Sequence, residues 1–256
     1  MKTRKIAWTA LLTSVASLFF LHAHSATRSE QGNADAGTHA SEISGVWVQV
    51  VGQATRPNWT DSQGNRLEKL PLTAWGEERF KANRPTHGAN AVASTTSTEP
   101  IVKCLPPGVP AIYMVSIYPM EIMQVPGRVI MFFEYGNYVR QIFTDGRTLP
   151  KDPQPSWLGY SVGKWDGDTF VVDTIGVNER TWLDNAGRPH SDAMHLTERY
   201  HRRDFGHLEV QLTIDDPKTY TKPWTVNESA RLLPDTDLLE YVCSENNKDV
   251  PHLVGK

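Results

Sequence analysis

The residue types that can transfer protons are concentrated in one stretch, Gly163 to Arg203. An enzyme that isomerises, hydrates or eliminates needs a base, an acid, and a donor for the developing oxyanion. The stretch contains all three, so it predicts general acid-base chemistry on an apolar or aromatic small molecule. The candidates are His190 and His195 for the base, Glu198 and Asp173 for its partner or for the acid, and Tyr200 and Arg199 for the donor.

Glu198 stands in an alternating pattern, Met194 to Arg203, that is typical of a β-strand. Alternate residues of a strand share a face, which puts Glu198 beside Leu196 and Tyr200 on the more apolar side. We expect that side to face a core, although the pattern alone does not fix which side points inward. Burial raises the pKa of a carboxyl group and so produces an acid or base that works near neutral pH. The alternative is that Glu198 pairs with an arginine on a neighbouring strand and has a structural role only.

The segment that precedes this strand, Val177 to Ala193, has neither the period of a strand nor that of a helix. A connection this long inside a compact domain is typical of a lid, a binding loop or a disordered segment, and its large apolar residues favour a lid. We expect it to cover the mouth of a barrel and to contact a ligand. The candidate ligand-binding residues are Arg180, Trp182, Asp184 and Met194.

Two functions other than catalysis fit the same residues. The first is a non-catalytic carrier of an apolar ligand, or of a sugar-like ligand that stacks on Trp59, Trp157 and Trp182. The second is an envelope protein whose surface contacts a protein partner. The carrier and the enzyme differ in what they require of Glu198, because only an enzyme needs its charge for turnover.

The elements that must position these residues are short strands. About ten runs with a period of two, separated by turns rich in Pro, Gly and Asn, indicate an all-β domain, a single antiparallel barrel or sandwich with long loops. One short helix is expected after Thr73, which can cap it. The opening Gly45-Val46-Trp47 resembles the first strand of a lipocalin, in which the tryptophan closes one end of the barrel. Arg231 is the positional candidate for the arginine that the lipocalin pattern stacks on this tryptophan.

The first 25 residues have the pattern of a secretory signal peptide, with a basic beginning, an apolar stretch and small residues before an expected cleavage after Ser25. The alternative is an uncleaved membrane anchor. Residues 26–42 are predicted to be a flexible tail, and residues 43–256 to be one β-barrel domain.

Charge indicates the class of partner and the compartment. Without Lys2, Arg4 and Lys5 of the signal peptide, the 26 Lys and Arg fall to 23 against 29 Asp and Glu, a net charge of −6. Such a chain lacks the basic surface that binds nucleic acid or anionic lipid. We therefore expect a small-molecule partner, no nucleic acid, no stable membrane insertion after signal cleavage, and a periplasmic or secreted location.

Cys104 and Cys243 are the only two cysteines. In an oxidising compartment they are expected to form a disulfide; the alternatives are two buried thiols or a catalytic cysteine. His195 and Glu198 would face opposite sides of a strand, so no metal site is predicted. The sequence has no phosphate-binding glycine loop and no dinucleotide fingerprint, and no cofactor is predicted.

Several short motifs occur together along the chain. They are Trp-Asp-Gly-Asp-Thr with Val-Val-Asp-Thr (165–174), Trp-Leu-Asp (182–184), Pro-His-Ser (189–191), Glu-Arg-Tyr (198–200), Asp-Pro-Lys-Thr-Tyr (216–220), Lys-Pro-Trp (222–224), Glu-Tyr-Val-Cys-Ser-Glu-Asn (240–246) and Cys-Leu-Pro-Pro-Gly (104–108). In these motifs the chain resembles an uncharacterised family of exported bacterial proteins, over most of its mature length. The resemblance implies a β-barrel and brings no activity and no catalytic residue with it.

Overall fold

The computed structural model describes residues 42–50, 60–114, 118–243 and 245. The expected signal peptide, nearly all of the expected tail, and Trp59 lie outside these residues. Nine strands and one α-helix are found within them. The strands are β1 (Gly45–Gln49), β2 (Met120–Val125), β3 (Arg128–Phe133), β4 (Tyr138–Phe143), β5 (Tyr160–Asp166), β6 (Thr169–Ile175), β7 (His195–Asp204), β8 (His207–Asp215) and β9 (Trp224–Leu232), and the helix is α1 (Ala74–Ala82).

The nine strands form a closed barrel in which each strand pairs with the next and β9 pairs back with β1. All pairs are antiparallel except β4 and β5, where Ile142 lies opposite Ser161 and Phe143 opposite Val162 in parallel register. The sequence predicted antiparallel pairing throughout. The structure departs from this prediction at β4 and β5 for a topological reason. Nine strands in a closed ring cannot alternate in direction all the way round, so at least one neighbouring pair must be parallel. The connection 144–159 returns the chain to the end from which β5 starts.

The interior of the barrel is filled by alternate residues of each strand, as the period of two predicts. On β7 the face that carries Leu196, Glu198 and Tyr200 points inward, and all three side chains are fully buried. Neighbouring strands contribute further buried apolar side chains. Among them are Ile122, Met131, Ile142, Phe170 and Leu212.

The first strand places Trp47 in the core with no exposed surface. Its indole N–H donates a hydrogen bond to the carbonyl oxygen of Ile43, at 2.9 Å. The guanidinium of Arg202 on β7 lies over the ring, 5.1 Å from its centre. The sequence suggested Arg231 for this position, but Arg231 stands between two inward-facing residues of β9 and is therefore exposed on the outer side of the barrel.

Helix α1 begins where the sequence predicts it. The Thr73 hydroxyl oxygen accepts a hydrogen bond from the Gly76 N–H at 3.0 Å, and the Thr73 N–H donates to the Thr219 carbonyl at 2.9 Å. A Cβ atom at Gly76 would lie 2.3 Å from the Thr219 oxygen. Glycine is thus required for the close approach of the helix to the segment between β8 and β9. None of the described helices has the length and the apolar character needed to cross a membrane.

Cys104 and Cys243 form a disulfide that joins residues 139 positions apart. Cys243 belongs to the segment that follows β9, and Cys104 to the segment that leads to a short 3₁₀ turn, Ala111–Met114. The expected pairing of the cysteines is confirmed.

We predict that the double variant Cys104→Ser/Cys243→Ser lowers the free energy of unfolding by up to about 5 kcal/mol, because the unfolded chain gains the entropy of a very long open loop. Urea unfolding followed by tryptophan fluorescence measures the change. A loss below about 1 kcal/mol would show that the bond constrains the unfolded chain far less than its loop length implies.

Candidate functional site

Arg140 on β4 and Glu198 on β7 face each other inside the barrel. Only 2% of Arg140 and none of Glu198 is exposed. The guanidinium engages both carboxylate oxygens, with Nη1 donating to Oε1 at 2.9 Å and Nη2 bonded to Oε2. The two residues therefore form a buried bidentate ion pair, the strongest geometry for these groups.

The other N–H groups of Arg140 also have partners. The Nε donates to the Ser161 hydroxyl at 3.3 Å, and Nη2 donates to the Thr174 hydroxyl at 2.8 Å. Nη1 donates to the hydroxyl of Tyr113, a residue of the turn Ala111–Met114. The guanidinium thus reaches β5, β6, β7 and this turn, which we call the Tyr113 turn, from one position on β4.

Two phenols complete the network. The Tyr200 hydroxyl donates to Glu198 Oε1 at 2.9 Å, and its oxygen lies 2.8 Å from that of Tyr113. Burial raises the pKa of both tyrosines, so both remain protonated at neutral pH. Burial is the largest single influence on Arg140 and acts to lower its pKa, but the charge of Glu198, the hydrogen bond to Glu198 and the two tyrosines together raise the pKa of Arg140 well above its ordinary value. The network is held as one cation, one anion and two neutral phenols.

This ion pair matches the alternative stated for Glu198, in which the carboxylate pairs with an arginine and has a structural role only. Its arginine partner comes from β4, three strands away around the barrel, and not from a neighbouring strand. Both carboxylate oxygens are engaged by Arg140, and one of them also by Tyr200. A ligand could reach Glu198 only by displacing these partners.

His190 lies away from this network, in the loop between β6 and β7. Its Nδ1 is 3.0 Å from the Ser191 carbonyl oxygen, which can only accept, so Nδ1 carries the proton. Its Nε2 therefore accepts from the Thr181 hydroxyl, 2.7 Å away. Burial lowers the pKa of His190. The Ser191 hydroxyl donates to Asp216 at 2.7 Å and does not contact the imidazole.

Asp173, His195 and Arg199 lie on the outer face of the barrel. His195 Nε2 is 2.9 Å from Asp173 Oδ1, and Arg199 pairs with Asp166 at 3.2 Å. The structure therefore joins Glu198 with Tyr200 and His195 with Asp173, but it separates these pairs from each other and from His190. The two pairs are separated because neighbouring positions on β7 point to opposite sides of the barrel wall, whereas His190 belongs to the loop before β7.

The loop 177–193 is packed against the barrel. Trp182, Asp184 and the adjoining Met194 are buried. Asp184 closes the loop on itself, since its Oδ1 accepts from the N–H groups of Ala186 and Arg188 at 3.0 and 3.2 Å. The exposed Arg180 has its guanidinium 4.7 Å from the centre of the Trp157 ring. The role of Arg180, Trp182, Asp184 and Met194 in ligand binding stays a prediction.

A cavity of about 30 Å³ lies between the Tyr113 turn and the barrel wall, and the empty space reaches about 450 Å³ when its open mouth is included. Its walls are mainly apolar. Four aromatic and two polar side chains are part of the lining: Trp47, Tyr113, Tyr118, Phe133, Gln49 and Glu228.

Two polar side chains of the cavity lining, Gln49 and Glu228, contact each other. Gln49 on β1 donates from Nε2 to a carboxylate oxygen of Glu228 on β9, at 2.7 Å. The other end of the amide, Gln49 Oε1, is buried and has no hydrogen-bond partner among the residues that the structure describes. Burial raises the pKa of Glu228, and the hydrogen bond from Gln49 opposes this only in part.

The sequence analysis missed Arg140, Tyr113, Gln49 and Glu228, although the signal for three of them was present. Arg140, Gln49 and Glu228 each share a strand face with buried residues, the same pattern that pointed to Glu198. Tyr113 lies outside the strands and gave no such signal.

Comparisons of the chain with protein-family models, curated proteins and solved structures gave no match. The resemblance to exported bacterial proteins therefore stays a prediction. Within the described residues, no group of three or more His, Cys, Asp or Glu is arranged to hold a metal ion.

We predict that Glu198→Gln lowers the free energy of unfolding by about 3 to 5 kcal/mol, because the buried charge of Arg140 loses its counter-charge. Adding Arg140→Met should recover part of the loss, since no unpaired charge then remains. Urea unfolding of the two single variants and the double variant measures this coupling. Glu209→Gln, a neutralisation on the exposed face of β8, is the control and should cost about 0.5 kcal/mol or less. Strictly additive losses would contradict the coupling.

We also predict that His190 lowers the free energy of unfolding at acid pH. In the unfolded chain, His190 takes up a proton as pH falls through 6.5, the ordinary pKa of histidine. In the folded chain, burial lowers the pKa of His190, so the proton binds only at a lower pH. His190 thus costs stability below pH 6.5, by up to about 1.4 kcal/mol per pH unit. The stability gap between the wild type and His190→Gln should therefore narrow as pH falls from 7 to 5. A constant gap in urea unfolding curves would disprove this.

Proposed function

We propose that the chain binds a small, largely apolar molecule at the cavity beside the Tyr113 turn. The observation that carries the proposal is the unpartnered carbonyl oxygen of Gln49. A buried acceptor without a partner costs about 1 to 3 kcal/mol, which a ligand that donates a hydrogen bond would recover. The aromatic side chains around it offer apolar area to the rest of the ligand.

Binding without turnover is the function that the geometry supports best. Glu198 has its oxygens engaged by Arg140 and Tyr200, and His190 has both ring nitrogens engaged. Neither side chain is part of the cavity lining. The catalytic alternative would have to use Glu228, the carboxyl group that does line the cavity.

The proposal includes a lipocalin-like architecture and an exported chain. The buried Trp47 at the first strand and the Arg202 guanidinium over its ring support the likeness. Lipocalins have eight strands in an up-and-down barrel, so the nine strands and the parallel pair are departures from that pattern. The disulfide supports a periplasmic or secreted location, because such bonds persist in oxidising compartments.

We predict that Ala230→Phe, which fills the cavity from β9, abolishes ligand binding. Saturation-transfer NMR with four phenylalkyl probes measures this: propylbenzene, 2-phenylethanol and 2-phenylethylamine, which share one shape, and the larger 3-phenylpropanoate. At least one probe should bind the wild type. Val139→Phe is the control, because position 139 is exposed on the outer face of β4 and away from the cavity.

Two results would refute the proposal. One is that none of the four probes binds the wild type. The other is that binding survives in Ala230→Phe. Should Ala230→Phe not unfold cooperatively, Ala230→Val fills the cavity less and is expected to weaken binding in the same direction.

A further inference from the structure

We infer that the polar end of the ligand is a primary ammonium group, held between Glu228 and Gln49. The inference rests on the proposed function and specifies its ligand class. Three properties of the cavity carry it: the kind of hydrogen-bonding groups it presents, its size, and its charge.

The cavity presents acceptors. The Gln49 amide uses its N–H₂ end for the Glu228 carboxylate, so its carbonyl oxygen is the end left for a ligand. The opposite orientation would place the amide oxygen against an ionised carboxylate, where both are acceptors and repel each other. The carboxylate of Glu228 is a second acceptor. A ligand that bonds to this pair must therefore bring a hydrogen-bond donor.

The enclosed part of the cavity is small, about 30 Å³, whereas the open mouth brings the empty space to about 450 Å³. A compact donor such as a hydroxyl or an ammonium group fits the enclosed part. The body of the ligand then lies in the wider mouth.

Charge selects the ammonium over the hydroxyl. Glu228 is only 9% exposed, and its hydrogen-bond partner, Gln49, is neutral. In the part of the chain that the structure describes, Glu228 forms no ion pair, whereas the inward-facing Glu198 of β7 has Arg140. A buried carboxylate without a counter-charge is costly, and a ligand cation would supply that charge.

The walls suit a cation on an apolar body. Tyr113, Tyr118 and Phe133 present aromatic rings to the cavity, and a cation is attracted to the face of such rings. Arg140 lies 6.0 Å from the centre of the Tyr113 ring, and its charge is balanced by Glu198. Arg202 lies 5.1 Å from the centre of the Trp47 ring and is hydrogen-bonded to the carbonyl oxygens of Glu42 and Phe205. Among the described residues that line the cavity, the charged side chain is Glu228.

The test compares 2-phenylethylamine with 2-phenylethanol, which has the same shape and a neutral donor. Isothermal titration calorimetry of the wild type at pH 7.5 should give an affinity for the amine about tenfold or more above that for the alcohol. Glu228→Gln should remove this preference by weakening the amine alone. Glu209→Gln removes an equal charge outside the cavity and should leave the preference unchanged.

The outcomes separate this inference from the proposed function. If the alcohol, propylbenzene or 3-phenylpropanoate binds as tightly as the amine, the ammonium assignment is wrong while the binding function stands. A preference for the amine that persists in Glu228→Gln also overturns the assignment, because a group other than Glu228 then recognises the ammonium charge. If no probe binds, the proposed function itself fails.

Discussion

Arg140 and Glu198 place two opposite charges inside the barrel, where neither has access to water. Removing each ion from water costs several kcal/mol, and their attraction offsets this only when their remaining donors and lone pairs are bonded. The bonding is complete because the partners come from β5, β6, β7 and the Tyr113 turn. The ion pair therefore fixes where Tyr113 enters the barrel, and with it one wall of the cavity.

The same residue type thus has two roles at inward positions of β7 and β9. Glu198 is surrounded by donors from the protein, so its charge is used within the fold. Glu228 has one neutral donor, Gln49, and burial raises its pKa. The ligand contact is therefore proposed at Glu228 and not at Glu198, because Glu228 is incompletely bonded and lines the cavity.

Much of this architecture could be predicted from local patterns. The period of two puts Glu198 on one strand face with Leu196 and Tyr200, and Thr73 marks the start of the helix. The partner of Glu198 could not be predicted, because Arg140 is three strands away and strand register depends on the closed barrel. The position of Tyr113 inside the barrel could not be predicted either, because it depends on a turn outside the strands. The predicted site is divided between the inside and the outside of the barrel, because neighbouring residues of β7, such as Glu198 and Arg199, lie on opposite sides of the wall.

The central claim is that a ligand contacts Glu228 and leaves Glu198 undisturbed. Carbon-13 NMR of protein labelled at the glutamate carboxyl carbons tests it directly, with 2-phenylethylamine as the titrant and Glu228→Gln to assign the Glu228 signal. The account predicts that the Glu228 signal shifts with ligand concentration while the Glu198 signal stays in place. A shift at Glu198 with none at Glu228 would contradict it.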